Sequence, residues 1–296
     1  MGLLYYLNDP FGPLVKRSKH LIVTFMLLMF SLSVGAFCVG NDYLIVGILF
    51  VLSFIVGKSK DFGIDLERLM LFITLQFITA SSEVVMQLQL QDLILYSLFA
   101  FANYIFWAAI LFKAIRHEIF PMVSKRESVK NIISHNKSSY FPLVCAIFSC
   151  VGYVAAKMFK FSHANWIVGT ALIVMLPDSY KSIYKSTQRI IGTTVGVIIA
   201  AAVITYIHDP KLLITFIFLL SFLMPHGLAK NYWIANIYIA AMILFFLEIA
   251  APSSIATHHL AFWRIIDILI GCLIGVLAAL IMKPDILIKS TKTLSH

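Results

Sequence analysis

Residues 262–282 read FWRIIDILIGCLIGVLAALIM, and this stretch decides which kind of fold the chain adopts. It has the roughly 20 apolar residues that an α-helix needs to cross about 30 Å of hydrocarbon. Only Arg264 and Asp267 interrupt it with charge. The pattern predicts a transmembrane helix whose two charges face a cavity or a partner inside the protein, because a charge that faces lipid is costly.

The composition of the whole chain also indicates a membrane protein. Of the 296 residues, 60% are hydrophobic and 12% are charged, whereas soluble domains carry about 25% charged residues. The four cysteines lie in apolar runs without the spacing of a metal site, so we expect free packing cysteines and no metal or other cofactor. The lipid bilayer is therefore the expected solvent for most of the chain.

Ten apolar segments are candidate spans, and the basic residues indicate their direction. With the N-terminus inside, most of the 23 Lys and Arg residues fall in inner segments, while Lys157, Lys160 and Lys211 fall in outer ones. This bias predicts an all-α integral membrane protein with about ten transmembrane helices and both termini in the cytoplasm. It also explains the net charge of +9 without a nucleic acid partner. The segments are 21–40, 43–57, 68–84, 93–115, 141–159, 164–177, 188–207, 211–225, 232–250 and 262–282.

The predicted spans fall into two parallel repeats of four and six helices. Residues 44–47 (LIVG) align with residues 166–169 (WIVG), and Arg68 aligns with Arg189 at the start of the following span. Both copies begin on the same side of the membrane, so the repeats are parallel. The predicted organisation is a cytoplasmic or interfacial segment at 1–20, a first repeat at 21–115, a cytoplasmic linker at 116–140, a second repeat at 141–283 and a cytoplasmic tail at 284–296.

Segments 43–57 and 164–177 are too short to span a bilayer comfortably. Short segments at corresponding positions of two repeats are typical of transporters whose broken helices point at a substrate near the membrane midplane. A bilayer that thins locally around a short complete helix is the alternative. The sequence alone is compatible with both.

Three motifs in the second repeat resemble a known family. TQRIIGTTVG at 187–196, NYW at 231–233 and RIIDILIG at 264–271 are similar to the signature of the fusaric acid resistance (FUSC)-like family, which includes bacterial aromatic acid exporters. The resemblance covers about residues 141–283. It implies a multi-pass protein of the bacterial inner membrane for efflux or permeation of small organic anions, often aromatic acids. It also allows a homodimer or a periplasmic efflux partner.

Three arginines are the cations expected along a path between the repeats: Arg68, Arg189 and Arg264. The guanidinium of Arg189 can hold a carboxylate through two hydrogen bonds, or it can snorkel as an inner anchor. Arg264 and Asp267 share a helix face and can form an internal ion pair, or protonation of Asp267 can release Arg264 to a substrate anion. Gly192 and Gly196 are expected to pack against another helix.

Trp166 and Tyr232 are candidates for stacking on an aromatic substrate, with Thr170 and Asn236 as hydrogen-bonding neighbours. Aromatic belts at the membrane interface are the alternative. Glu83 and Glu248 lie near the outer ends of predicted spans and, together with Asp267, are candidates for proton coupling. Solvation at the interface is the alternative for both glutamates.

Transport is expected rather than catalysis. The sequence has no P-loop, HExxH or GxSxG motif and no acidic pair with the spacing of a lipid-phosphate enzyme. The predicted function is efflux of small organic or aromatic anions, driven by the proton motive force. A passive anion channel and a non-transporting membrane scaffold or assembly subunit are the alternatives.

Overall fold

The computed structural model describes residues 14–82, 98, 102, 140–161, 163–207, 209–250 and 254–282. These residues form helices joined by short turns, and no strand occurs among them. The predicted all-α fold is therefore confirmed for this part of the chain. In chain order the helices are α1 (Leu14–Phe37), α2 (Asp42–Ser59), α3 (Ile64–Ala80), α4 (Phe141–Met158), α5 (Ala164–Val174), α6 (Ser179–Tyr206), α7 (Pro210–Lys230), α8 (Tyr232–Ala250) and α9 (Ser254–Met282).

Several of these helices are suited to a bilayer. Within the described ranges, five are long and apolar enough to cross a membrane, namely α2, α4, α6, most of α8 and the part of α9 from Ala261 to Met282. Large apolar side chains such as Phe30 and Phe222 are exposed on the helix surfaces. The count of ten spans, the two repeats and the side of the termini stay predictions. The predicted span at 93–115 and linker at 116–140 lie almost wholly outside the described residues.

The chain divides into two compact units, residues 1–147 and 148–296. In the first unit, α1 and α2 pack against α3. Leu21 and Leu28 of α1 form a core there with Leu69 and Ile73 of α3. Helix α4 begins in the first unit and ends in the second.

The second unit is built around α6, along which α8 and α9 pack, while α7 packs on α8 and α5 packs on α9. Gly192 and Gly196 permit the close approach of α6 to α8. A Cβ atom at either glycine would collide with backbone atoms of α8, at Trp233 or at Ile237. The predicted packing role of the two glycines is therefore confirmed. Gly271 of α9 lies in the same way against the backbone of α5.

Asp178 sets a helix boundary that hydropathy alone misplaces. Its Oδ1 accepts hydrogen bonds from the backbone N–H groups of Tyr180, at 3.0 Å, and Lys181, at 3.4 Å, so it caps α6. Helix α6 consequently begins at Ser179 rather than at residue 188. The first turns of the helix are polar, so a span that is predicted from a continuous apolar stretch does not include them. Arg189 lies ten residues beyond the helix start, not at its beginning.

Helix α5 is short in the structure as well as in the sequence. Its 11 residues rise about 16 Å, roughly half the thickness of the hydrocarbon layer. Met175, which follows it, has an extended backbone with ψ of 116°. This geometry favours the broken-helix alternative for segment 164–177. The segment predicted at 43–57 belongs to the 18-residue helix α2, which is long enough to cross.

Candidate functional site

Arg189 is buried in the second unit, with 8% of its surface exposed. Its Nη1 donates to Tyr232 Oη, at 2.9 Å, and to Asn236 Oδ1, at 3.3 Å, while Nη2 donates to Thr170 Oγ1, at 3.4 Å. Its Nε has no hydrogen-bond partner among the described residues. All three acceptors are neutral, so they orient the guanidinium without compensating its charge.

Arg264, on α9, is 6% exposed and lies against an aromatic ring instead of an acid. Its Cζ is 4.1 Å from the centroid of the Trp166 ring, which is a cation–π geometry. Nε and Nη1 of Arg264 have no hydrogen-bond partner within the described part of the chain. The ring therefore holds the guanidinium in place while leaving two N–H donors unsatisfied.

Asp267 contributes a buried negative charge, with 1% of its surface exposed. Its Oδ2 lies 3.9 Å from His163 Nδ1, and neither atom has a hydrogen-bond partner among the residues described. The expected ion pair between Asp267 and Arg264 is not formed as a direct contact in the described structure, although the two charges interact electrostatically. One reason is that the guanidinium of Arg264 is stacked on Trp166.

His163 is the site residue that the sequence analysis did not identify. It precedes α5, and its ring stacks on Trp166 with centroids 4.1 Å apart and an interplanar angle of 9°. Burial, followed by the positive charge of Arg264, lowers the pKa of His163 below its ordinary value of 6.5. The imidazole is therefore neutral at pH 7. A single histidine in a loop without a ligand spacing gives no sequence signal.

Helical spacing brings these side chains together. Trp166 and Thr170 are four residues apart on α5, and Tyr232 and Asn236 are four apart on α8. Arg264 and Asp267 are three apart on α9, where Gly271 permits close approach to α5. Asn236 Nδ2 also donates to the Tyr232 carbonyl oxygen at 2.8 Å, which turns its Oδ1 toward Arg189. We call these seven residues, with His163, the arginine cluster: His163, Trp166, Thr170, Arg189, Tyr232, Asn236, Arg264 and Asp267.

The charges of the arginine cluster do not cancel. Two buried arginines face one buried aspartate, so the formal charge of the cluster, counted with a neutral His163 and an ionised Asp267, is +1. Three buried guanidinium nitrogens also have no partner among the described residues: Nε of Arg189, and Nε and Nη1 of Arg264. Buried donors and charges are costly unless they are paired. The arrangement is chemically suited to an acceptor that carries one negative charge.

The remaining predicted site residues lie elsewhere. Arg68 is in the first unit, half-buried near the beginning of α3. Glu248 is buried on α8, twelve residues beyond Asn236, which corresponds to about 18 Å along the helix axis. It is therefore not part of the arginine cluster. Glu83 lies outside the described residues.

A surface groove in the same unit was not predicted from the sequence. It has a volume of about 310 Å³, and Arg189 is not among its lining residues. Its residues are thus distinct from the arginine cluster. They are Tyr184, Thr187, Gln188, Ile191, Asn231 and Trp233.

Part of the second unit is similar to a known protein family. Residues 149–278 match the family described as fusaric acid resistance protein-like. This range includes every residue of the arginine cluster and most of the second unit. The resemblance inferred from the three motifs is therefore confirmed over this segment.

Two curated proteins are similar to part of the chain. The uncharacterized protein slr1298 of Synechocystis is 28% identical over 131 residues, which make up 44% of this chain and 17% of that protein. The inner membrane protein YccS of Escherichia coli is 26% identical over 136 residues, 46% of this chain and 18% of that protein. The matches thus span less than a fifth of either relative. No solved structure matches the chain.

Proposed function

We propose that this chain is an inner-membrane transporter that exports small organic anions, aromatic acids among them. The observation that carries this proposal is the arginine cluster, which combines a net positive charge with three guanidinium nitrogens that have no partner among the described residues. The location in the inner membrane rests on the similarity to YccS of Escherichia coli and on the apolar helices of the chain. The family name, which refers to resistance to an organic acid, agrees with export.

A carboxylate fits the unsatisfied groups of the two arginines. A carboxylate has two oxygens with lone pairs in one plane, and a guanidinium can donate to both of them. Nε and Nη1 of Arg264 are both without an acceptor among the described residues. We place the substrate carboxylate on Arg264, with Nε of Arg189 as a further donor. The buried surroundings strengthen these bonds relative to water.

Trp166 and Tyr232 belong to the same proposed site as positioning residues. Trp166 already has His163 and Arg264 as stacking partners within the chain. Tyr232 accepts a hydrogen bond from Arg189, and Lys185 Nζ lies 5.5 Å from the centroid of its ring. Stacking of a substrate ring on Trp166 would require one of its two neighbours to move. The direct contribution of both aromatic residues is therefore to orient the arginines.

The proton motive force is the proposed source of energy. Its electrical component, negative inside, favours outward movement of an anion by about 2.3 kcal/mol per charge per 100 mV. Of Asp267 and Glu248, the two described acids that are candidates for proton coupling, only Asp267 lies in the arginine cluster. Protonation of Asp267 would change the charge that a bound anion experiences.

Flux of labelled benzoate into or out of proteoliposomes tests the proposal. We expect Arg189→Gln and Arg264→Gln to lower the flux at least roughly tenfold, because each removes a charged hydrogen bond worth about 1.5–3 kcal/mol. Lys181→Gln is the matched control, since it removes one positive charge from a side chain that is 61% exposed. Circular dichroism and gel filtration establish that each variant is folded.

Three results would contradict parts of the proposal. Full flux in folded Arg189 and Arg264 variants would remove these residues from the site. Benzoate currents that follow the membrane potential alone and that a pH gradient neither drives nor alters would indicate a passive anion channel. An absence of flux in the unaltered protein would favour a scaffold or assembly subunit.

A further inference from the structure

The arginine cluster contains three charged side chains at pH 8, and the sum of their charges restricts which anions can bind. Arg189 and Arg264 both carry a positive charge at pH 8, while Asp267 faces His163 and interacts with Arg264. Among the described residues packed around His163, the charged groups that face it are Arg264 and Asp267 of α9. Since His163 is neutral above pH 7, only Asp267 opposes the two arginines.

One bound monovalent anion would bring the charge of the cluster to zero. A divalent anion would bring it to −1, inside a bundle where an unpaired charge carries a large desolvation cost. The negative charge of Asp267 raises the free-energy cost of binding a dianion further, because like charges repel strongly in a medium of low dielectric constant. The carboxylate of Asp267 is almost completely buried, so solvent does not screen it.

We infer that Asp267 is a specificity-determining residue that restricts the site to organic anions with a single negative charge. This inference rests on the proposed function and names the substrate class of the same site. At pH 8 the ionised Asp267 acts as a counter-charge one helical turn from Arg264. Its Oδ2, which has no hydrogen-bond partner in the described part of the chain, repels a second carboxylate brought by the ligand.

Replacement of the acid by a neutral residue of the same shape should relax this restriction. Asp267→Asn raises the net charge of the cluster from +1 to +2, which a dianion neutralises completely. We expect the ratio of the phthalate dissociation constant to that of benzoate to fall by about tenfold or more in this variant. Asp267→Ser, which is also neutral, should lower the ratio in the same direction. Asp267→Glu keeps the charge and should keep the ratio.

Three ligands separate charge from size in this experiment. Benzoate is an aromatic monoanion, phthalate is a dianion at pH 8, and monomethyl phthalate has nearly the size of phthalate with a single charge. Dissociation constants are measured by calorimetry on the purified full chain in detergent at pH 8. The unaltered protein should bind benzoate and monomethyl phthalate, and should bind phthalate at least tenfold more weakly.

The outcomes are distinct for the inference and for the proposed function. An unchanged ratio in both Asp267→Asn and Asp267→Ser would overturn the inference while leaving anion binding in place. Equal relaxation in Asp267→Glu would also overturn it, because shape rather than charge would then be responsible. If the unaltered protein rejects monomethyl phthalate as strongly as phthalate, size sets the selectivity and the inference is wrong. Failure of all three ligands to bind would overturn the proposed function and the inference with it.

Discussion

At the scale of single residues, the two arginines are held by different means. Arg189 is fixed by directed hydrogen bonds to Tyr232, Asn236 and Thr170. Arg264 is fixed by the face of the Trp166 ring, which attracts its charge but satisfies none of its N–H groups. A cation–π contact thus holds the guanidinium in position while its N–H groups can still donate to another acceptor.

Replacement of Trp166 tests this support. Trp166→Leu removes a cation–π contact worth about 0.5–2 kcal/mol, so we expect benzoate to bind roughly two- to thirtyfold more weakly. Trp166→Phe retains a ring and should lose less affinity. The comparison is Trp233→Leu, since Trp233 is 37% exposed and lines the separate surface groove. Binding of benzoate to Trp166→Leu with unaltered affinity would show that the ring does not position Arg264.

At the scale of helices, glycine contacts determine how closely the elements approach. Gly192 and Gly196 bring α6 against α8, and the same approach carries Arg189 to Tyr232 and Asn236. The contact between α6 and α8 and the position of Arg189 in the site therefore both depend on Gly192 and Gly196.

Gly192→Ala should therefore disturb both stability and the site. The added Cβ would meet the Trp233 carbonyl, a backbone atom that cannot rotate away. Overpacking of this kind costs about 1–3 kcal/mol, and we expect a lower thermal unfolding temperature and weaker benzoate binding. Gly47→Ala on α2 is the control, because nothing lies within 4 Å of the added atom there. Equal unfolding temperatures for the two variants would argue against a tight α6–α8 contact.

The sequence predicted much of the site because charge in an apolar segment is rare. Arg264 and Asp267 are the two charged residues within 262–282 and were candidates for that reason. Arg189 and Tyr232 were candidates because they belong to motifs that resemble those of the family. What the sequence could not give was the pairing of side chains. Asp267 on α9 faces His163, which precedes α5, and Arg264 on α9 contacts the ring of Trp166 on α5. Contacts between different elements cannot be inferred from residue spacing along one helix.

Some helix boundaries were predictable from the sequence and others were not. The short α5 was evident from the apolar run that ends near Pro177. The early start of α6 was not, because it depends on capping by Asp178 and on polar residues that remain helical. The predicted repeat relates α2 to α5, and these helices differ in length, with 18 and 11 residues.

At the scale of the whole molecule, the distribution of Lys and Arg predicts which end of each helix faces the cytoplasm. The segment between α4 and α6 is a sensitive place to test that orientation. It contains the short α5 followed by extended residues, yet the prediction requires the chain to cross the membrane there. Phe159 and Tyr180 lie on either side of this segment and are exposed to similar extents, 75% and 73%.

Cysteine labelling in intact cells distinguishes the two sides. In a variant without the four native cysteines, Phe159→Cys should react with a membrane-impermeant maleimide added outside. Tyr180→Cys should react only after the membrane is opened. Labelling of both positions from outside would show that segment 164–177 does not carry the chain across, and the predicted span count would then be wrong.

The stacking of Trp166 between its neighbours has a spectroscopic consequence. Imidazole and guanidinium groups in contact with an indole alter its emission, and both lie about 4 Å from this ring. A bound anion that draws Arg264 away from the ring, or changes its charge environment, would shift the emission of Trp166. The chain contains only 4 tryptophans, so the arginine cluster carries an intrinsic optical probe of its own occupancy.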